Sequence, residues 1–265
     1  MIECVINISE GRDLDLIEEI ALSAGSDLLD VHCDADHNRS VLTVVGAAAP
    51  TAVIRAAVQR LDIRTHTGVH PRIGVVDVVP FVPLEDSTFD DALTTRDGMS
   101  WWIANELQIP VFLYGPERTL PDIRRGAFRS LMPDLGPSEP HLTAGAVAVG
   151  ARELMLAWNL WLSEPNLSLA KSIASSIRGP GVRALGLQVG DQVQVSMNLI
   201  DPFVTGPAEV YDRVAALAPI ARAELVGLAP QALLDATDEK RWDQLNLSID
   251  TTIESRLQRR PHGGS

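Results

Sequence analysis

Apolar and polar positions in this chain alternate between two periods, and each stretch announces its element. Glu3 to Ser9 alternates as a short strand, and Asp13 to Ala24 has helical spacing, with Leu14, Ile17, Ile20 and Ala21 on one face, Gly11 as the break and Asp13 as the cap. Leu28 to Val31 and Val41 to Val45 read as strands joined by the polar run Cys33-Asp-Ala-Asp-His-Asn-Arg-Ser40. Thr51 to Leu61 reads as a helix. Gly74 to Val82 is apolar on both faces and therefore central in its sheet. Asp77 interrupts it, and a buried carboxylate needs a partner, either the preceding loop or an imidazole. Asp90 to Leu107 predicts a helix on which Trp101 and Trp102 pack, and Pro110 to Tyr114 predicts a buried strand. The loop-rich segment 115–145 holds one short helix around Leu120 to Phe128, and Ala146 to Leu162 reads as a strand pair or one long strand.

After Ser163-Glu-Pro-Asn166 a second series begins. It comprises a helix at Leu167 to Ile177, strands at Val182 to Val189 and Gln192 to Ile200, a helix at Ala208 to Ala223 and a strand at Glu224 to Gly227. Along Gln192 to Leu199, Val193, Val195, Met197 and Leu199 face one side, and Gln192, Gln194, Ser196 and Asn198 the other. The pattern predicts an α+β protein of two successive ferredoxin-like (βαββαβ) α/β sandwich subdomains. They cover residues 1–164 and 165–250, and 251–265 is a frayed tail.

Composition narrows the partners. The 265 residues are 46% hydrophobic, enough for two cores, and carry a formal charge of −13. That balance argues against nucleic acid and against an anionic membrane, both of which call for positive charge. An anionic small molecule would need a local positive pocket, with Arg39, Arg64 and Arg72 as candidates. No run approaches membrane-spanning length and no apolar leader opens the chain, so a cytoplasmic protein is expected. Cys4 and Cys33 are the only cysteines, which fits a reducing compartment.

Candidate chemistry concentrates in Arg64-Thr-His-Thr-Gly-Val-His-Pro-Arg-Ile-Gly74. His66 and His70 are four apart, but Gly68 and Pro71 argue against the helix that a zincin-type metal pair needs. What remains is a loop that presents His70, fixed by Pro71, with Arg72 on the other side of an extended backbone. An imidazole suits proton transfer near neutrality, and a guanidinium suits an anionic substrate. The run around Asp34 and Asp36 is ordinary turn chemistry, whereas His37, Asn38 and Arg39 exceed what a turn needs. Metal-dependent hydrolysis, with His66, His70 and one of His32, His37 or His141 as ligands, is a competing reading.

The run His66-Thr-Gly-Val-His70-Pro-Arg-Ile-Gly74, followed by Asp77-Val-Val-Pro-Phe-Val-Pro83, resembles the signature of the formiminotransferase family. Blocks in the same order include Glu3-Cys-Val-Ile-Asn-Ile-Ser-Glu-Gly-Arg12, Asp36-His-Asn-Arg-Ser40, Thr119-Leu-Pro-Asp-Ile-Arg124, Gly136-Pro-Ser138 and Thr143-Ala-Gly145. The resemblance implies folate-dependent transfer of a formimino group from N-formiminoglutamate to N5 of tetrahydrofolate, without a metal. It implies a cleft between the subdomains, His70 as general base and then acid, and Arg72 on a substrate carboxylate or the tetrahedral intermediate. Folate contacts are implied at Asn7, His37, Asn38, Arg39, Gly136, Pro137, Ser138, His141, Thr143 and Gly145, and a homodimer as the assembly. Position 32 departs from the pattern, being histidine where vertebrate-like members carry aspartate. A different one-carbon donor, or folate binding without catalysis, remains an alternative.

Overall fold

The computed structural model describes residues 1–68 and 71–260, and the chain divides into two compact units, one of Met1–Glu153 and one that begins at Leu154. The first is built from strands β1 (Ile2–Ile8), β2 (Leu28–Asp34), β3 (Arg39–Val45), β4 (Val76–Pro83), β5 (Val111–Tyr114) and β6 (Val147–Ala151). Helices α1 (Leu14–Leu22), α2 (Ala49–Arg60), α3 (Phe89–Glu106) and α4 (Leu120–Gly126) alternate with them. The sheet order is β2-β3-β1-β4-β6-β5. Its first four strands are antiparallel neighbours and make one βαββαβ unit, and β6 and β5 extend it in parallel beyond β4.

Apolar periodicity accounts for the layers. Ile20, Val53, Ile54, Ile103 and the inward side chains of β1, β3 and β4 form one core. Val78, Phe112, Ile123 and Ala148 form a second core beneath α4, which is why β4 is buried along nearly its whole length. Asp13 caps α1 by accepting the Leu16 N–H, but Leu14 is 62% exposed, so the helix buries Ile17, Ile20 and Ala21 only. Trp101 is also exposed, against the packing role expected of it, while Trp102 lies under the Arg55 guanidinium at 5.1 Å.

The second unit repeats the βαββαβ order with β7 (Leu156–Leu162), α5 (Leu167–Ile177), β8 (Val182–Val189), β9 (Gln192–Leu199), α6 (Pro207–Ala215) and β10 (Ile220–Leu225), in a sheet ordered β10-β7-β9-β8. Three short helices follow, α7 (Gln231–Asp235), α8 (Trp242–Leu245) and α9 (Ile253–Gln258). The apolar side of β9 is buried as its alternation requires, yet Gln194 on the polar side is fully buried too.

Three boundaries differ from those read in the sequence. The units part at Glu153/Leu154 rather than after residue 164, because β7 pairs with β9 and β10 and so belongs to the second sheet. Residue 220 already begins β10, so the expected helix 208–223 is cut short at Ala215. Residues 251–260 do not fray. Thr252 and Ile253 are buried, Ala229 N–H donates to Thr251 and Ile253 N–H donates to Ala229, and Gln231 N–H donates to the Glu254 carboxylate. A weakly apolar segment stays ordered because backbone pairing, invisible to a hydropathy pattern, holds it. Ile253→Ala is accordingly expected to cost about 2–4 kcal/mol of unfolding free energy, measured by urea denaturation. A loose tail would show no change.

Candidate functional site

Strand direction gathers the candidate loops. Because β1 and β2 run antiparallel to β3, and β1 antiparallel to β4, the ends of β1 and β2 and the beginnings of β3, β4, β5 and β6 share one edge of the first sheet. Along it lie the turn after β1, the β2–β3 turn, the loop into β4 and the loop into β6. Asn7, half-buried at the end of β1, sits on this edge, with its amide donating to Val5 O.

The first three loops are tied together by side chains. Glu10 Oε1 accepts the N–H groups of Gly11, Arg12 and Asp13 at 2.7–3.0 Å and so closes the turn after β1. Ser40 Oγ donates to Glu10 O. Asn38, buried with a φ of 50°, takes a conformation that Asn tolerates better than most residues. Its Oδ1 accepts Gly11 N–H at 2.9 Å, and its Nδ2 donates to Thr67 O at 2.8 Å and to His66 Nδ1 at 3.2 Å. The backbone partners fix which way the amide faces, since Gly11 N–H can only donate and Thr67 O can only accept. His66 therefore accepts at Nδ1, and when neutral it carries its proton on Nε2, a buried atom with no hydrogen-bond partner among the described residues. Gly68 completes the join. A Cβ there would stand 2.5 Å from His37 O and 2.6 Å from Arg72 Nη2, so only glycine lets this loop close on the turn.

The β2–β3 turn is organised by Asp34. Its Oδ1 accepts the N–H groups of Asp36 and His37, and its Oδ2 lies 2.6 Å from His37 Nδ1. Burial pushes the Asp34 carboxyl up, but hydrogen bonds from the His37 ring and backbone, with the charges of His37 and Arg39, outweigh it and hold the group at about 2. His37 itself is buried.

Asp77, 2% exposed at the start of β4, accepts Ile73 N–H at 2.7 Å and Arg124 Nη1 at 2.6 Å, while Arg124 Nη2 pairs with its other oxygen. It thus anchors the loop behind Pro71, the first of the two roles expected of it. Arg72 is half-buried beside it. Burial pushes the Arg72 guanidinium down from its ordinary range, Asp77 opposes this, and the positive charges of Arg124 and Arg12 add to it. The Arg12 and Arg124 guanidinium groups are thus each within electrostatic reach of Arg72 in an otherwise acidic protein.

The loop into β6 joins the loop into β4 by backbone. Val75 N–H donates to Ala144 O, Ala146 N–H to Ile73 O, and Ile63 N–H to Thr143 O. Gly74 and Gly145 face each other there, and a Cβ on either would strike the opposing strand. His141 Nδ1 accepts Ala144 N–H at 3.0 Å and Thr143 N–H at 3.4 Å, and among the described residues nothing is bonded to its Nε2. Thr143 and Gly145 thus belong to the same knot as His141.

Gly136 does not join this group. It packs on Ile109 O and Ala104 at the start of β5, three strands from β1 and so about 15 Å away along the edge. Pro137 and Ser138 follow it, half-buried and exposed respectively. Arg64 is paired locally instead. Its guanidinium is exposed and taken up by Asp62, two residues away. Arg39 opens β3 beside the Asp34 turn. His70, the expected general base, lies outside the described residues. Among the described residues no group of three or more His, Cys, Asp or Glu is placed to hold a metal ion.

Arg12 and Arg124 were missed by sequence reasoning. Arg124 needed the Asp77 partner, which no spacing rule connects across 47 positions. Arg12 had a usable signal, its place immediately after the Glu10-Gly11 turn at the end of an edge-facing strand.

The Asp34 turn carries a pH dependence. Its folded-state pKa of about 2 lies below the ordinary carboxylate value of about 4, so the folded form holds the proton more weakly. The stabilisation is complete above about pH 5 and is lost as pH falls through about 2; screened by solvent, it amounts to on the order of 1 kcal/mol. Asp34→Asn should therefore be less stable than the unaltered chain at pH 6, with the difference vanishing toward pH 2 in denaturant titrations. An equal difference at both pH values would exclude the pair as its source.

Residues 1–152 match the model of the formiminotransferase domain, N-terminal subdomain. The chain is 34% identical to glutamate formimidoyltransferase of Streptococcus pyogenes serotype M1 over 90% of its own length and 92% of that protein. It is 36% identical to the Thermoplasma acidophilum protein of the same name, covering 93% of each. Formimidoyltransferase-cyclodeaminase of Rattus norvegicus is 36% identical over 89% of the chain, which spans only 51% of that longer protein. By the match over its first unit and these full-length likenesses, the chain belongs to the formiminotransferase family.

Proposed function

We propose that this protein is a glutamate formimidoyltransferase that moves the formimino group of N-formiminoglutamate to N5 of tetrahydrofolate, a step of histidine degradation. The observation that carries this reading is the loop 66–75. Asn38 holds its His66 and Thr67 end, Asp77 holds its Ile73 end, and Arg72 lies between these two anchors. Anchors on residues 66, 67 and 73 support the reading, because acid–base catalysis needs a positioned group.

Chemically, N5 bonds to the formimino carbon, the bond from that carbon to the glutamate nitrogen breaks, and one proton passes from N5 to the departing amine. A single imidazole can make that transfer in both directions. His70, by its place in the Gly-x-His-Pro-Arg motif, is assigned this role, and Arg72 is assigned to substrate carboxylate or to the developing charge. His37, Asn38, Arg39, Asn7, His141, Thr143 and Gly145 are assigned to the folate side, with Gly136, Pro137 and Ser138 further along the same sheet edge. No metal enters this scheme. The two thiols, Cys4 buried and Cys33 exposed, suit a cytoplasmic setting, and a homodimer is the assembly we infer. The acidic surface turns away nucleic acid and anionic membrane.

Purified protein given both substrates should show transfer that depends on each, and His70→Gln should lower kcat by about 10²-fold or more while leaving tetrahydrofolate binding intact. Full activity in that variant would remove His70 from the chemistry. Asn38→Ala, which frees both loops it joins, should reduce kcat/KM by about tenfold or more at a stability cost of about 2 kcal/mol, read from transfer rates and thermal melting. Wild-type rates in a melted-down Asn38 variant would contradict the coupling of turn and loop.

A further inference from the structure

Arg12 is not one of the residues that the formimino-transfer reading assigns, yet it is built as a binding group. Glu10 Oε1 fixes its backbone in the closed turn, and its own Nε donates to Ala35 O at 2.9 Å. Neither anchor uses the terminal guanidinium nitrogens. The acids nearby are engaged elsewhere: Glu10 by three backbone N–H groups, Asp13 by Leu16 N–H, Asp34 by His37, and Asp77 by Ile73 and Arg124. Arg12 has no ion pair with any described carboxylate, the exposed Asp36 on the neighbouring turn included.

Its counterpart is Arg72. A Cβ on Gly68 would meet Arg72 Nη2 at 2.6 Å, His37 O at 2.5 Å and Asn38 Cβ at 3.0 Å, so the Arg72 guanidinium stands near the turn to which Arg12 is bonded at Ala35. Arg12 and Arg72 therefore both stand at one turn, residues 35–38, near enough for the charge of Arg12 to bear on Arg72. Like charges held together in an acidic protein call for an anion, and two forked donors match a carboxylate.

We propose that Arg12 and Arg72 form a subsite for the carboxylate of a glutamate moiety, with Arg12 as its affinity-determining residue. This rests on the formimino-transfer reading, in which both substrates carry such a carboxylate: N-formiminoglutamate itself, and the glutamyl tail of tetrahydrofolate. The chemistry of the subsite is common to the two, and kinetics tells them apart.

Arg12→Gln and Arg12→Lys would be compared with the unaltered protein for KM toward N-formiminoglutamate, monoglutamyl tetrahydrofolate and polyglutamyl tetrahydrofolate. The proposal expects Arg12→Gln to raise one of these KM values about tenfold or more while kcat falls less than about threefold, and Arg12→Lys to recover part of the loss. A rise for N-formiminoglutamate assigns the subsite to the donor, and a rise for the folates assigns it to the tail. KM values within about twofold for all three substrates, in a variant that melts like the unaltered protein, would overturn the proposal. Should the unaltered protein show no transfer, the reaction reading fails, and the subsite is read by thermal shift with free glutamate and with polyglutamyl tetrahydrofolate. A shift lost in Arg12→Gln supports the subsite, and equal or absent shifts in both proteins overturn it.

Discussion

The buried carboxylate of Asp77 governs the arrangement of the candidate site. It lies within the central strand of the first sheet, where an unpaired charge would be costly, and it meets that cost with Ile73 N–H and both terminal nitrogens of Arg124. The pairing does two structural jobs at once. It seats α4 on its face of the sheet, and it fixes the loop entering β4 four residues upstream of Asp77. It also has an electrostatic effect. With its oxygens occupied, Asp77 only partly offsets the positive charge that Arg72 shares with Arg12 and Arg124. A protein of formal charge −13 thereby holds positive charge around Arg72.

Asn38 plays the corresponding part on the other side of the loop. One amide reaches three backbone or ring partners in two other loops, from a backbone that adopts a left-handed conformation. Glycine at 68 is needed for the same closure, and Gly74 and Gly145 for the adjoining one. The site is thus assembled from backbone approaches as much as from side chains, and the residues that permit those approaches carry no chemistry of their own.

Much of this was legible in the sequence. The period-2 and helical stretches located the strands and most helices, and the doubly apolar Gly74 to Val82 run identified the central strand together with its anomalous carboxylate. The cluster around His66 and His70 falls in the loop that Asn38 and Asp77 anchor. Other features were not legible, for definite reasons. The partner of Asp77 lies 47 positions away, and a single sequence contains no signal for a pair so distant. Arg64 stood with Arg39 and Arg72 as a candidate for a positive pocket, and its local pairing with Asp62 became visible only in the structure. The order of residues 251–260 depends on backbone hydrogen bonds to Ala229, which hydropathy does not register. The division at Leu154 was displaced by eleven residues because Ala146 to Leu162, read as a strand pair or one long strand, was kept in one unit, although its two strands serve different sheets.

The most direct test of the central claim follows the transferred atom. N-formiminoglutamate labelled with ¹³C in its formimino carbon would be incubated with the protein and tetrahydrofolate, and the products observed by carbon NMR. The account predicts that the label appears on the folate nitrogen, with one glutamate released for each labelled folate formed. Label recovered as free formamide or formate beside unmodified tetrahydrofolate would contradict it, since hydrolysis rather than transfer would then be the reaction.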